Sequence, residues 1–105
     1  MTSAKDVRPE KWINNPVVLF DNGVYSVIFG LYEGKPALGE RWNGDKDELG
    51  FPNQAGNPIW HVVPKFLELS LLQGLLLEIL KNPYSGNKSH IEAILRTIED
   101  RVNPM

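Results

Sequence analysis

The spacing of apolar residues changes once along this chain, at Pro64, and that change dictates the class of fold. Before Pro64, apolar residues alternate with other residues in short segments separated by turns, which is the period of a strand. After Pro64 they recur every three to four positions, which is the period of a helix. The sequence therefore predicts an α+β fold, in which an antiparallel β-meander plus a fourth strand carry two C-terminal helices on one face.

The segment before Pro64 divides into about four strands. Asn22-Gly23 favours a two-residue hairpin in which both residues have positive φ. A second turn is predicted at 33–36, and the last strand lies between two prolines. The predicted strands cover residues 17–20, 24–32, 37–42 and 59–63.

The N-terminal residues carry weaker signals. Residues 1–8 are predicted to form a loose tail, and Pro9 to open a short helix that runs through Ile13. Asn15-Pro16 is then expected to end that helix. The 105 residues are predicted to form a single domain, 1–105.

The first long helix is predicted to begin at Pro64 and to end at about Lys81, before Asn82-Pro83. Its apolar residues cover more than half of its circumference, which is wider than the stripe of an ordinary surface helix. The main apolar face consists of Leu69, Leu72, Leu75, Leu76, Ile79 and Leu80. The residues proposed for a partner interface are Phe66, Leu67, Leu71 and Leu77.

Three explanations account for this excess of apolar surface. The helix lies centrally between the sheet and the last helix, or it forms a self-complementary dimer interface, or it binds a different protein. The sequence leaves all three open.

The last helix has the clearer pattern. Ser89 and Glu92 have the spacing of a capping box, which predicts the helix N-terminus. A narrow apolar stripe then predicts one buried side, formed by Ile91, Ile94, Leu95, Ile98 and Val102.

Composition restricts the partners and the compartment. The chain has no cysteine and a formal net charge of −2, from 11 basic and 13 acidic side chains. The absence of cysteine favours a reducing cytoplasm, and no signal peptide or membrane span is predicted. Nucleic-acid binding is disfavoured because no basic face is evident. Its candidate contacts would be Lys5, Arg8, Lys11, Arg41 and Trp42.

The third strand places a charge on each of its faces, because Glu40 and Arg41 are adjacent in an alternating segment. A bulge at Gly39 would reset the alternation, and an edge position would let Arg41 reach solvent. A structural ion pair would also account for the charges. The functional alternative is a cleft in which Arg41 binds an anion or Glu40 acts as a base.

Two tryptophans flank a long, glycine-rich loop at 43–58, a length that often indicates function. Aromatic walls with a few polar groups are typical of small-ligand sites, and equally of a loop pinned to a sheet. His61 follows the loop and can act as a base or a metal ligand, or be a histidine whose ring is hydrogen-bonded at the sheet edge. The candidate ligand-binding residues are Arg41, Trp42, Asn43, Asn53, Gln54, Trp60 and His61.

No metal, cofactor or catalytic residue is predicted. A calcium loop starting at Asn43 fails, because Glu48 replaces the glycine at position six and Gln54 replaces the glutamate at position twelve. Neither a nucleophile motif nor a phosphate-binding glycine motif is present.

The leading hypothesis is therefore a small, non-enzymatic cytoplasmic protein of a bacterial type that acts through protein–protein contact as a homodimer. The alternative is a small-molecule-binding protein or a small enzyme. Its site would consist of Arg41, Trp42, the 43–58 loop and His61.

Overall fold

An antiparallel sheet with two helices against one face forms the core of the fold, in a computed structural model that describes residues 12–44, 50–54, 57–82 and 88–102. The sheet has four strands in the order β1-β2-β3-β6, and β4 pairs with β5 in a separate small sheet. This architecture confirms the predicted α+β class. The elements are β1 Trp12–Asp21, β2 Tyr25–Tyr32, β3 Lys35–Trp42, β4 Asn53–Gln54, β5 Asn57–Pro58, β6 His61–Val62, a 3-10 turn at Lys65–Leu67, α1 Glu68–Lys81 and α2 Lys88–Val102.

Strand β1 begins earlier than predicted. Trp12 and Ile13 pair with the end of β2, so the helix predicted from Pro9 to Ile13 is wrong over these two residues. Pro16 lies within a register shift of β1, and β1 is an edge strand, where a missing backbone N–H is tolerated. Pro9 and the predicted tail at 1–8 lie outside the described residues.

The tight turn with two positive φ angles forms at the second hairpin and not at the first, where the sequence predicted it. Among described residues other than glycine, only Glu33 has a positive φ, so Asn22-Gly23 does not form the predicted turn with two positive φ angles. The Asn22 Oδ1 atom instead accepts backbone N–H groups two and three residues on, each at 2.9 Å. Glu33 and Gly34 have φ angles of 52° and 83° and form the tight two-residue turn between β2 and β3.

Helix α1 follows the prediction closely. Pro64 precedes the 3-10 turn that leads into α1, and α1 ends at Lys81. Leu72, Leu75 and Ile79 are buried against the sheet and α2, as their spacing predicted. The apolar core between the sheet and the helices contains Leu19, Phe20, Val27, Leu38, Val63, Leu72, Leu75, Ile79 and Ile94.

Helix α2 places three of the five residues of the predicted stripe against the core, since Ile91 and Ile98 pack beside Ile94. Ile94 is fully buried, but Leu95 and Val102 are exposed, so they do not belong to the buried side. Thr97 is buried in their place, and its hydroxyl donates to the Ala93 carbonyl at 2.8 Å, which satisfies the polar group within the helix. The side chain of Ser89, the predicted cap, lies outside the described residues.

Both faces of β3 are covered, and this resolves the problem of its two charges. The β2–β3 register is regular from Tyr25↔Trp42 to Tyr32↔Lys35, so there is no bulge at Gly39, and β3 is not an edge strand. Leu38, Glu40 and Trp42 therefore share the face that carries the helices. A second, smaller core covers the opposite face and contains Ile28, Ala37 and Trp60.

Neither described helix has the length and apolarity that a membrane-crossing helix needs.

Candidate functional site

The register of three strands builds a cleft at the end of the helix-bearing face. Tyr25 on β2 lies opposite Trp42 on β3, and Trp42 forms an isolated bridge with Phe51. In the neighbouring row, Glu40 on β3 lies opposite His61 on β6. Because residues paired across strands share a face, three aromatic rings and two polar side chains meet here.

The cleft has a volume of about 220 Å³. A second hollow of about 360 Å³ adjoins it between the sheet and α1, and it shares Tyr25, Glu40 and Trp42 with the cleft. Glu78 of α1 lies at the far side of this hollow. The residues that line the cleft are Tyr25, Glu40, Arg41, Trp42, Phe51, Pro52 and His61.

Glu40 lies at the centre of the polar part of the cleft. The Tyr25 hydroxyl donates to Glu40 Oε1 at 2.5 Å, and His61 Nδ1 lies 3.4 Å from Glu40 Oε2. Burial raises the pKa of the Tyr25 phenol, and the hydrogen bond and negative charge of Glu40 raise that pKa further. Tyr25 therefore remains a protonated donor, which fixes the orientation of the carboxylate.

The aromatic rings form the wall of the cleft. The rings of Tyr25 and Trp42 lie 5.0 Å apart at an interplanar angle of 55°, a favourable tilted contact. Trp42 is 55% exposed and Phe51 is 68% exposed. Large aromatic surface is thus available to a ligand beside Glu40.

Arg41 lines the cleft from the opposite face of β3. Only 1% of Arg41 is exposed, and its Nε and Nη1 atoms donate to the carbonyl oxygens of Trp42 and Ile59, each at 3.3 Å. Desolvation by burial lowers the pKa of the guanidinium. An edge-strand position from which Arg41 reaches solvent is therefore wrong, since the side chain is buried between β3 and residues Gly50 and Ile59.

Gly50 allows the backbone at residues 50–51 to approach β3 closely. Its φ is 83°, and an added Cβ would lie 2.0 Å from the Trp42 carbonyl oxygen and 2.7 Å from Arg41 Nη2. Trp42 and Phe51 exchange two backbone hydrogen bonds next to this point, at 2.7 and 2.9 Å. Part of the predicted 43–58 loop is thus strand-like, and it also contains β4 and β5.

Asn43 is buried and does not line the cleft; its side chain connects the end of β3 to β1 and β2 through hydrogen bonds. Its Oδ1 accepts the Ser26 hydroxyl at 2.7 Å, and its Nδ2 donates to Asp21 Oδ1 at 3.1 Å. Its backbone N–H donates to the Val24 carbonyl at 2.7 Å. Both functional ends of its amide thus have partners from two other segments of the chain.

The structure brings three of the seven candidate ligand-binding residues to the cleft: Arg41, Trp42 and His61. Trp60 is buried in the second core, on the opposite face of the sheet. Asn53 and Gln54 form β4, and their side chains lie outside the described residues. Tyr25 was not among the candidate residues: it lies on the core face of β2, and no pattern in the sequence showed that the core ends there.

A separate apolar surface lies along the outer side of the 3-10 turn and α1. Phe66 is 83% exposed, Leu80 76%, Leu77 59% and Leu69 37%. Leu69 and Leu80 were expected on the buried face, but the helix is turned so that they lie at or beyond its edge. In the chain as described, α1 is therefore not enclosed between the sheet and α2.

Of the four residues named for a partner interface, Phe66, Leu67 and Leu77 are exposed. Leu71 is half-buried and packs against the core, which is the opposite side of α1. Among the described residues, no group of three or more histidine, aspartate or glutamate side chains could hold a metal ion.

Comparisons of this chain with models of protein families, with curated proteins and with solved structures found no match.

Proposed function

We propose that this chain acts through protein–protein contact and that its partner is a second copy of itself, bound through the outer face of α1. The observation that carries this proposal is the exposure of large apolar side chains along one line of the helix. Contiguous apolar surface of this kind marks interaction sites on soluble proteins. The cysteine-free composition supports the cytoplasm as the compartment.

The spacing of the line supports a helix–helix contact. Phe66, Leu69, Gln73, Leu76 and Leu80 are separated by three, four, three and four residues, the a and d positions of two heptads. Leu76 is half-buried and also packs against the core, so it forms the inner edge of this set, and Phe66 belongs to the 3-10 turn that precedes α1. We call this set the α1 seam. Leu77 lies beside it. A seam of this period packs against another helix along its whole length, as in a coiled coil.

The area of the seam matches a small dimer interface. Its exposed apolar side chains, Phe66, Leu69 and Leu80, leave roughly 300–400 Å² open to solvent, at ~150–200 Å² for each fully exposed large side chain. A standard interface buries about 800 Å² on each partner, of which about 65% is apolar in homodimers. The seam therefore supplies most of the apolar surface that such a dimer needs.

An antiparallel pair is compatible with the position of Gln73. Gln73 is the central residue of the seam and its one polar member, with two apolar residues on each side. In an antiparallel dimer around a two-fold axis, Gln73 meets Gln73 of the other copy, and Phe66 meets Leu80. The two amides can then hydrogen-bond to each other, because each has both a donor and an acceptor.

The test is the molar mass in solution, measured by light scattering on a sizing column at two concentrations. The unmodified chain is expected to have twice the mass of one copy. Leu80→Glu places a charge in the seam and should give the monomer. Leu95→Glu introduces the same charge at an exposed leucine of α2, outside the seam, and should leave the dimer intact.

A monomeric unmodified chain at both concentrations would refute the proposal. So would dissociation caused equally by both substitutions, since that would point to a general effect of charge. Circular dichroism should show unchanged helix content in both variants, because both positions are solvent-exposed.

A further inference from the structure

We propose that the cleft beside Glu40 binds an organic cation, an alkylated ammonium group held between the aromatic rings and the carboxylate. This inference goes beyond self-association, and it concerns a different surface. The cleft lies on the helix-bearing face of the sheet at the end of β3, whereas the exposed residues of the α1 seam, Phe66, Leu69 and Leu80, lie on the outer side of the helix layer. The seam and the cleft share no residue, so the two proposals concern separate surfaces.

The first argument is the aromatic wall. Tyr25 and Trp42 are in tilted contact, and Phe51 is placed beside Trp42 by the bridge between their backbones. More than half of Trp42 and of Phe51 is exposed although both are large apolar side chains. Clusters of aromatic faces attract alkylammonium groups through the negative potential of their rings, and tryptophan gives the strongest contact.

The second argument is the charge. Glu40 faces the aromatic rings and is about one-third exposed, so its carboxylate is accessible from the cleft. Two hydrogen-bonding neighbours do not saturate a carboxylate, which has about four acceptor positions. Glu78 adds a second negative charge at the side of the adjoining hollow.

Among the residues that the structure describes, the basic side chains that line the cleft do not prevent cation binding. The Arg41 guanidinium is buried on the other face of β3 and donates to two backbone carbonyls. An anion would have to reach this buried group, which is why a cation is the better ligand. His61 lies on the far side of Glu40 from Tyr25, and its Nδ1 atom is directed at the carboxylate.

The third argument is size. A volume of about 220 Å³ is smaller than the ~300–1,000 Å³ of pockets that enclose drug-sized molecules. It suits a small head group such as trimethylammonium. That group is shared by free choline-like compounds and by trimethylated lysine side chains, and the two sources can be separated by experiment.

The experiment is a titration of the full chain with choline, followed through the indole N–H signals in ¹H–¹⁵N spectra. Three tryptophans give three such signals, and Trp42→Phe identifies the one from Trp42. The Trp42 signal should shift on addition of choline, and the signal of buried Trp60 should not. The neutral isostere 3,3-dimethylbutanol, which has the same shape without the charge, should produce at least about fivefold weaker binding, the order of one cation–π contact.

Substitutions then locate the site. Glu40→Gln should weaken choline binding at least about fivefold, whereas Glu92→Gln, which removes the same charge from an exposed position on α2, should not. Phe51→Leu should weaken binding, and Phe66→Leu, at an exposed phenylalanine of the seam, should not. Phe51 is exposed, so its replacement does not depend on repacking a core.

A trimethyllysine peptide distinguishes the two sources of the cation. Binding of the peptide at least about tenfold tighter than choline would assign the site to a protein side chain, and equal binding would assign it to a small molecule. No shift of the Trp42 signal with either probe would overturn the proposal. Equal binding of choline and 3,3-dimethylbutanol, or unchanged binding by Glu40→Gln, would overturn it as well. None of these results depends on the molar mass, so the two proposals fail separately.

Discussion

Replacing Asn43 by alanine should destabilise the fold strongly, although the sequence made Asn43 a candidate ligand-binding residue. The substitution removes the acceptor of the buried Ser26 hydroxyl and the donor to Asp21. A neutral hydrogen bond contributes about 1 kcal/mol and one to a charged group about 1.5–3 kcal/mol. A buried hydroxyl left without its acceptor adds to this loss. We therefore expect the free energy of unfolding to fall by about 3 kcal/mol.

A double-mutant cycle with Ser26→Ala identifies the cause. Ser26→Ala alone should lower the free energy of unfolding by about 1 kcal/mol. The double variant should be less destabilised than the sum of the two single variants by about 1 kcal/mol, since the orphaned hydroxyl is then also absent. Urea unfolding followed by tryptophan fluorescence measures all four free energies.

The matched control is Asn82→Ala. Asn82 also donates a side-chain hydrogen bond to an acid, Glu78, at 2.8 Å, but both atoms are exposed. This control should change the free energy of unfolding by less than about 0.5 kcal/mol. If Asn43→Ala costs no more than Asn82→Ala, the argument that burial makes the Asn43 contacts strong is refuted.

Three further outcomes are expected from urea unfolding. Tyr25→Phe should be less stable than the unmodified chain at pH 8, and this difference in the free energy of unfolding should shrink as the pH rises above about 10. The pKa of Tyr25 is raised in the folded chain, so the stabilisation is lost once the phenol ionises in the unfolded chain. A difference that does not depend on pH would contradict the Tyr25–Glu40 hydrogen bond. Gly50→Ala should cost at least about 2 kcal/mol, since its Cβ meets a backbone oxygen at 2.0 Å and its φ is positive, and a neutral effect would show that the close approach is wrong. Leu72→Ala should lower the free energy of unfolding by about 2–5 kcal/mol because Leu72 is fully buried, whereas Leu95→Ala, at an exposed position of α2, should lower it by less than about 0.5 kcal/mol. Equal losses would contradict the assigned core.

Local signals in the sequence were sufficient for the order and type of the main elements. Alternation predicted β2 and β3, the change of period at Pro64 predicted the helices, and Asn82-Pro83 marked the end of α1. Each of these signals depends on a few neighbouring residues, so it can be read from the sequence without knowledge of tertiary contacts.

The errors arose where tertiary contacts overrode local preference. Turn propensity at Asn15-Pro16 predicted a break, but pairing of Trp12 and Ile13 with β2 extends the strand across it. Tight-turn propensity favoured Asn22-Gly23, but the side chain of Asn22 caps a wider turn. The sequence could not show which way each helix is rotated, because several leucines of α1 are equivalent by spacing alone.

The candidate site could be predicted only in part, for the same reason. Proximity to the long loop grouped Trp42 with His61, and both line the cleft, but it could not show that Trp60 lies on the opposite face of the sheet. The charge on each face of β3 was visible in the sequence. Its explanation was not, because Arg41 donates to the backbone carbonyl of Ile59 in a distant segment, and a backbone acceptor leaves no motif in the sequence.

The most direct test of the proposed dimer uses single cysteines, since the chain has none of its own. Gln73→Cys places one thiol at the centre of the α1 seam, where an antiparallel pair brings it against its counterpart, and mild oxidation should give a disulfide-linked dimer. Leu80→Cys should not cross-link, because Leu80 faces Phe66 of the other copy in that arrangement. Cross-linking through Gln73→Cys alone is the result we predict. Cross-linking through Leu80→Cys as well would indicate a parallel pair, and no cross-linking at Gln73→Cys would contradict the α1 seam as the dimer interface.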